Sequence, residues 1–149
     1  MTFRSHMDLA LDQARAAAAR GEVPVGAVVV APDGTVLALQ GNRTRELHDP
    51  SAHAEVLAIR AACGVLGSER LTGCDLYVTL EPCPACAAVI SAARIARLYY
   101  GAADPKSGGV GQGPRIFTHP QAHHVPEIYD GIGAHEAEAL LRAFFAARR

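Results

Sequence analysis

Tryptophan is absent from this 149-residue chain, aromatic residues make up only 5% of it, and no uninterrupted apolar run is long enough to cross a bilayer. Each lack excludes something. With no candidate span, and no signal-peptide apolar core in the Met1–His6 start, the expectation is a cytoplasmic protein with no membrane partner. Charge of one sign is missing too: a net charge of −1 and a pI near 6.6 give no global field to draw in nucleic acid, so such a partner must be read locally. Internal repeats and low-complexity tracts are also missing, which excludes fibres and linkers. What is present is a globular composition, half hydrophobic and 19% charged, at a length that suits one domain over 1–149. Cysteine is scarce. Four are enough for the two disulfides of a secreted domain, but Cys83 and Cys86 lie three apart beside prolines, a spacing suited to metal or redox chemistry in a reducing compartment. Arg94 with Arg97, and Arg142 with Arg148 and Arg149, make local basic clusters whose ordinary reading is a solvated helix end.

Met7, Leu9, Ala10, Leu11 and Ala14, in an Ala-rich stretch from Ser5 to Arg20, predict a first amphipathic helix ended by Gly21. A β-branched run from Val25 to Val30, the turn Pro32-Asp33-Gly34 and an extended pattern from Thr35 to Gln40 predict a hairpin. Pro50-Ser51 offers a helix start, and Ala52 to Cys63 carries Val56, Leu57 and Ile59 at helical spacing, so His53 and Glu55 open the second helix. Leu76 to Leu80 reads as a strand, Pro84 to Ala93 as a helix and Leu98 to Tyr100 as a strand, which together imply a parallel βαβ unit. Asp104 to Pro114, rich in glycine, is a loop of the length that usually carries function. Glu127 to Tyr129 adds a short strand, and Ala134 to Arg148 a last helix with Ala137, Leu140, Leu141, Phe144 and Phe145 on one side.

The chemistry concentrates in His53-Ala54-Glu55 and Pro82-Cys83-Pro84-Ala85-Cys86. His53, Cys83 and Cys86 are three zinc-type ligands, and three ligands leave the fourth tetrahedral position to a water, as in catalytic rather than structural sites. Residues two apart on a helix diverge by about 200°, so His53 and Glu55 converge only where the entering chain is not yet helical. A helix N-terminus beside Cys83 and Cys86 favours thiolates. Two such termini, following the second and third strands, would face each other at one edge of the sheet, where α/β folds place ligands. Zinc held there would acidify its water, and Glu55, unligated, could relay the proton to a leaving amine. Other readings stand beside this one. A CxxC at a helix start also matches a thiol redox pair, against which the upstream His-x-Glu weighs. A closed structural site would need Cys63 or Cys74 as a fourth ligand, and both read better as small core residues. His119, His123 and His124 read as loop histidines, Asn42 as turn chemistry, and Phe144-Phe145 as core, with an exposed ring beside Arg148 able to stack a splayed base.

The order His-x-Glu, then Pro-Cys-x-x-Cys, is the signature of zinc-dependent nucleobase deaminases. With Glu22-Val23-Pro24-Val25-Gly26-Ala27, Gly41-Asn42-Arg43, His48-Asp49-Pro50-Ser51-Ala52, Leu76-Tyr77-Val78-Thr79-Leu80-Glu81 and Tyr100-Gly101-Ala102-x-Asp104-Pro105-Lys106, the chain resembles the bacterial tRNA-specific adenosine deaminases from about Met7 onward. The resemblance implies a cytidine deaminase-like three-layer α/β/α sandwich with a mixed five-stranded sheet, one Zn2+ per subunit and a homodimer. It also implies conversion of adenosine to inosine at the wobble position of a tRNA anticodon loop. Carried over, His53, Cys83 and Cys86 match the zinc ligands and Glu55 the proton shuttle, while Asn42 matches a residue that binds the flipped base and ribose. Asp104 and His119 match positions that hold anticodon nucleotides, and Phe145 and Arg148 belong to a C-terminal helix near the RNA. A deaminase of free guanine, cytosine or cytidine shares the four core residues, and only the gripping positions separate the two readings.

Overall fold

The computed structural model describes residues 5–148, so the expectations attached to Met1–Arg4 and to Arg149 lie outside the described residues. Ten elements follow in order: α1 (His6–Ala19), β1 (Gly26–Val30), β2 (Val36–Gly41), α2 (Ala54–Leu66), β3 (Asp75–Leu80), α3 (Pro84–Ala92), β4 (Arg97–Ala102), a 3-10 turn (Ile116–Thr118), β5 (Glu127–Tyr129) and α4 (Ala134–Ala146). The sheet order is β2-β1-β3-β4-β5, with β1 antiparallel to both neighbours and β3, β4 and β5 parallel. This is the mixed five-stranded sheet expected.

Alternation along β1 separates two cores. Ala27 and Val29 face Ala54, Ala58, Ile59 and Ala62 of α2 and Ala87 and Ile90 of α3, whereas Val28 and Val30 face Met7, Ala10 and Leu11 of α1 and Ala137 of α4. The result is three layers, α1 and α4 over one face and α2 and α3 over the other. Ser5 starts α1 with a capping box: its Oγ accepts from Asp8 N and the Asp8 carboxylate accepts from Ser5 N, both at 3.2 Å. Gly26 lets α1 lie directly on β1, because a Cβ there would stand 1.9 Å from the Ala10 carbonyl oxygen.

One consequence of the topology positions the site. With β1 antiparallel to both β2 and β3, those two strands run the same way, and the chain leaves both at the same end of the sheet. The helices that follow them, α2 and α3, therefore begin side by side. At the far edge β5 has only three residues, all exposed, and is pinned by Tyr129 stacking on Tyr99 (centroids 4.9 Å apart), which stacks on Tyr77 (4.3 Å) across the strand register.

Two expectations change. α2 begins at Ala54 rather than Ala52, which leaves His53 as its N-cap with extended backbone (φ −71°, ψ 152°). α4 ends at Ala146 and does not bury a full apolar side: Ala137 and Phe144 are buried, Leu140 and Leu141 partly so, and Phe145 is 48% exposed. The helix covers only part of its face of the sheet, so its outer stripe stays in solvent.

Candidate metal centre and active site

The candidate metal ligands sit at helix entrances. Cys83 is the N-cap of α3 with Pro84 at the first helical position, and Cys86 follows in the first turn, while His53 caps α2. Extended backbone at His53 and Cys83 turns their side chains back across the gap between the helices. His53 Nδ1 lies 3.3 Å from Cys86 Sγ and 3.6 Å from Cys83 Sγ, and the three atoms all fall within 4.8 Å of one another. Zn–S and Zn–N bonds of about 2.3 and 2.0 Å at tetrahedral angles require N···S edges of about 3.5 Å. The triad fits zinc. Among the described residues it is the one group of His, Cys and acidic atoms so arranged. Cys63 and Cys74 are free and lie outside it, Cys74 buried and Cys63 half-buried against the core, as core cysteines should be.

Without a metal the triad shares its protons unevenly, and only Cys83 is biased toward the ligating form. The Cys83 thiol, hydrogen-bonded by Cys86 and by His53, is lowered to about 4, whereas Cys86, facing that thiolate from the interior, is pushed up. The same Cys83 contact holds His53 above the ordinary histidine range.

Glu55 follows in the first turn of α2, 4% exposed, and lines a cleft of about 200 Å³ with His53, Cys83, Asn42, Thr44, Val23, Val25 and Leu80. It is not one of the three metal-ligand residues. Burial pushes its carboxyl up to about 7, against the pull of its own backbone amide and His53. A carboxyl poised near neutrality beside a metal site is suited to taking and returning a proton.

Asn42 is buried, its backbone N–H donating to the Val25 carbonyl and its Nδ2 to Thr44 Oγ1 at 3.3 Å. Among the described residues its Oδ1 has no partner, so that atom is left for whatever enters the cleft. Asp104 lines the cleft as well, but its Oδ1 accepts from Lys106 N and Ser107 N and holds a turn. Phe145 and Arg148 line a second cleft, of about 700 Å³, that shares Val23, Leu80, Asp104 and Ser107 with the first. Glu55, Asn42, Asp104, Phe145 and Arg148 thus gather with the metal ligands at one end of the sheet. His119 does not: it is exposed and lines a separate depression with Ala88, Ser91, Ala92 and Ile116 on the α3 side. The loop joining β4 to the 3-10 turn carries Asp104 toward the cleft and then turns away before His119.

The remaining basic clusters are absorbed locally. Arg97 pairs with Asp75 at 2.8 Å across β4 and β3, Arg94 donates to the Ser91 and Ala92 carbonyls at the end of α3, and Arg142 faces Glu138.

Two structural glutamates belong to no chemical motif of the sequence. Glu81, 2% exposed, accepts four backbone N–H bonds, from Asp104 at Oε1 and from Val110, Gly111 and Gln112 at Oε2, all between 2.9 and 3.1 Å. It folds the 104–112 loop over Pro82 and Cys83, where Gly109 N donates to the Pro82 carbonyl. A Cβ on Gly108 would stand 2.5 Å from Glu81 Oε2. Glu22, 1% exposed, likewise accepts from Arg45 N and Glu46 N and pins the connection that carries Asn42. A carboxylate enclosed by backbone donors is an internal anion site. Both stand in segments that carry the family resemblance, but nothing in the residue types alone marks either as an anion held by backbone donors.

Comparison with known proteins agrees with this geometry. Residues 2–102 match the family model described as the cytidine and deoxycytidylate deaminase zinc-binding region. A tRNA-specific adenosine deaminase of Agrobacterium fabrum is 58% identical over 150 residues, which cover 100% of this chain and 98% of that protein. A chain solved in a study of A-to-I editing by tRNA:A34 deaminases superposes with a TM-score of 0.90 at 59% identity, over 93% of this chain and 100% of that one. A guanine deaminase from Bacillus subtilis superposes with a TM-score of 0.67 at 33% identity, over 99% of this chain and 94% of that one. The chain belongs to the cytidine and deoxycytidylate deaminase zinc-binding family and, within it, to the tRNA-specific adenosine deaminases.

Proposed function

We propose that this chain is a hydrolytic deaminase that converts adenosine to inosine, with release of ammonia, at the wobble position of a tRNA anticodon. The observation that carries the reading is a buried carboxyl, Glu55, in one cleft with the three metal-ligand residues but outside their set. When held by His53, Cys83 and Cys86, zinc supplies a water acidified to near neutrality. Glu55 would take a proton from the attacking water as the water oxygen bonds to C6 of adenine, and pass it to the exocyclic nitrogen, whose bond to C6 then breaks so that the amine departs as ammonia. Its burial makes it a willing acceptor at neutral pH and keeps bulk water from competing for the proton.

Val23, Val25 and Leu80 give the cleft apolar walls for a planar ring, and Asn42 Oδ1 offers an acceptor to a base edge or ribose hydroxyl. At about 200 Å³ the cleft is below the usual range for drug-sized ligands, about 300 to 1,000 Å³, so a single base enters and the rest of the strand stays outside. Such a base must come from an unpaired loop or be flipped out. Phe145, exposed in the adjoining cleft, is a stacking surface for a neighbouring base, and Arg148 and Asp104 flank it. His119 contacts RNA only if the substrate reaches the α3 side. The reading also takes the chain as one domain over 1–149, working as a homodimer in the cytoplasm.

The test is incubation of the zinc-loaded protein with a tRNA bearing a wobble adenosine, and in parallel with guanine, cytidine and adenosine. Inosine in the anticodon is the expected product. Turnover of guanine or cytidine with the tRNA left unchanged would replace this reading by that of a free-base deaminase.

A further inference from the structure

A base in the cleft leaves its flanking phosphates at the rim, and a chain of net charge −1 has no general attraction for them. We infer that Arg20, Arg45 and Arg148 form a phosphate-gripping strip for the RNA backbone beside the base cleft. This inference rests on the RNA-substrate reading above and names the groups by which that substrate is held.

The three guanidinium groups collect where α1 ends and the chain turns at Gly21. Arg20, the C-cap of α1, donates from Nη2 to the backbone carbonyl of Asn42 at 3.1 Å, directly behind the residue that lines the base cleft. Arg45 donates from Nη1 to the Gly21 carbonyl at 3.3 Å. Arg148 Nη2 stands 3.9 Å from where a Cβ on Gly21 would be, and its guanidinium carbon lies 3.5 Å from the centroid of the Phe144 ring. Arg148 is more than a hundred positions from the other two in the sequence. Only the packing of α4 against the end of α1 brings them together.

Their anchors are what make them available. Backbone carbonyls and an aromatic face hold each head in place without cancelling its charge, and among the described residues none of the three is in an ion pair. Arg15, Arg43, Arg60, Arg97 and Arg142 each face a carboxylate instead. A guanidinium has five N–H donors, and one or two serve the anchor, so the others remain for a bidentate phosphate contact with little further ordering cost. Nearby acids do not neutralise the strip. Glu22 is buried under backbone N–H groups, Glu46 pairs with Arg43, and Asp104 holds its own turn across the second cleft. That cleft, with Arg148 and Lys106 on its lining, shares one wall with the base cleft and so leads a strand from one to the other.

The strip is tested by binding rather than turnover, using the full-length zinc-loaded protein and a fluorescently labelled anticodon stem-loop RNA over a series of salt concentrations. Arg20→Gln, Arg45→Gln and their combination are compared with Arg15→Gln, which removes the same charge from α1 away from Gly21. The slope of log Kd against log salt should become shallower by about 0.7 for each phosphate that a variant no longer grips, and KM for the RNA should rise more than kcat falls. Arg15→Gln should overlay the wild type. A double variant with the wild-type slope and Kd, or an equal shift from Arg15→Gln, overturns the strip. Because the readout is affinity, a wild type that binds RNA but makes no inosine overturns the deaminase reading and leaves the strip to be judged by its slope.

Discussion

At the scale of single residues, the proposed chemistry rests on two departures from ordinary solution behaviour. The Cys83 thiol is lowered to about 4, and the Glu55 carboxyl is raised from its ordinary value of 4.5 to about 7, because its charged form is desolvated. Between those two Glu55 values the folded state binds more proton than the unfolded one, so this group stabilises the fold at low pH and that contribution disappears as pH rises through about 7. A neutral side chain escapes the effect. In metal-free protein, Glu55→Gln should therefore gain stability relative to wild type as pH climbs from about 4.5 to 7, reaching a few kcal/mol above it, read from urea unfolding across pH. The same variant, loaded with zinc, should keep its metal and have deamination slowed by about 10²- to 10⁴-fold, the range for a general acid–base group. Wild-type turnover in Glu55→Gln would end its role as proton carrier. For His53→Ala, zinc content measured by atomic absorption should fall well below one per chain, since two thiolates alone leave the site half-built. The residue types at 53, 55, 83 and 86 are legible in the sequence because coordination chemistry restricts them so tightly. Glu81 and Glu22 are not, because what makes them matter is the set of backbone N–H groups around them, supplied by segments more than twenty positions away.

The elements explain why those residues meet. β2 and β3 flank an antiparallel β1 and deliver α2 and α3 to one end of the sheet, so the metal triad is assembled at two helix entrances. The loop over it is shaped by one side chain. Glu81→Gln puts a donor where four backbone donors converge, at a cost of about 1 to 3 kcal/mol. Amide exchange at Val110, Gly111 and Gln112 should accelerate in that variant while β1 and β3 stay protected, and KM for the RNA should rise; unchanged protection would show that the loop holds itself. Most elements are readable from periodicity and turn residues, with limits that shift by up to three positions, as at the end of α2. The partial burial of α4 is not readable. A stripe of Leu and Phe at helical spacing looks like a core face, but how much of it is covered depends on where the helix lies on the sheet, and here Phe145 is left exposed.

For the whole molecule, the two cores and the metal centre act together. Zinc bound only by the folded state, present at about a thousand times its Kd, stabilises by about 4 kcal/mol, so chelation should lower Tm by on the order of 10 °C in a scanning calorimeter. An unchanged Tm would mean that α2 and α3 are docked without help from the metal. Close packing has its own test: Gly26→Ala drives a Cβ into the Ala10 carbonyl and should cost at least about 1 to 3 kcal/mol in urea unfolding, with no change in the metal-ligand set. By itself the sequence determined the candidate ligand types, the acid beside them, the helix and strand periods and the family, because each is written in local residue identity and spacing. The tertiary structure alone decided that His119 stands apart from the cleft while Arg20, Arg45 and Arg148 stand together beside it. Convergence of distant side chains is set by strand order and by how closely helices approach the sheet, and neither is carried by any single stretch of the chain.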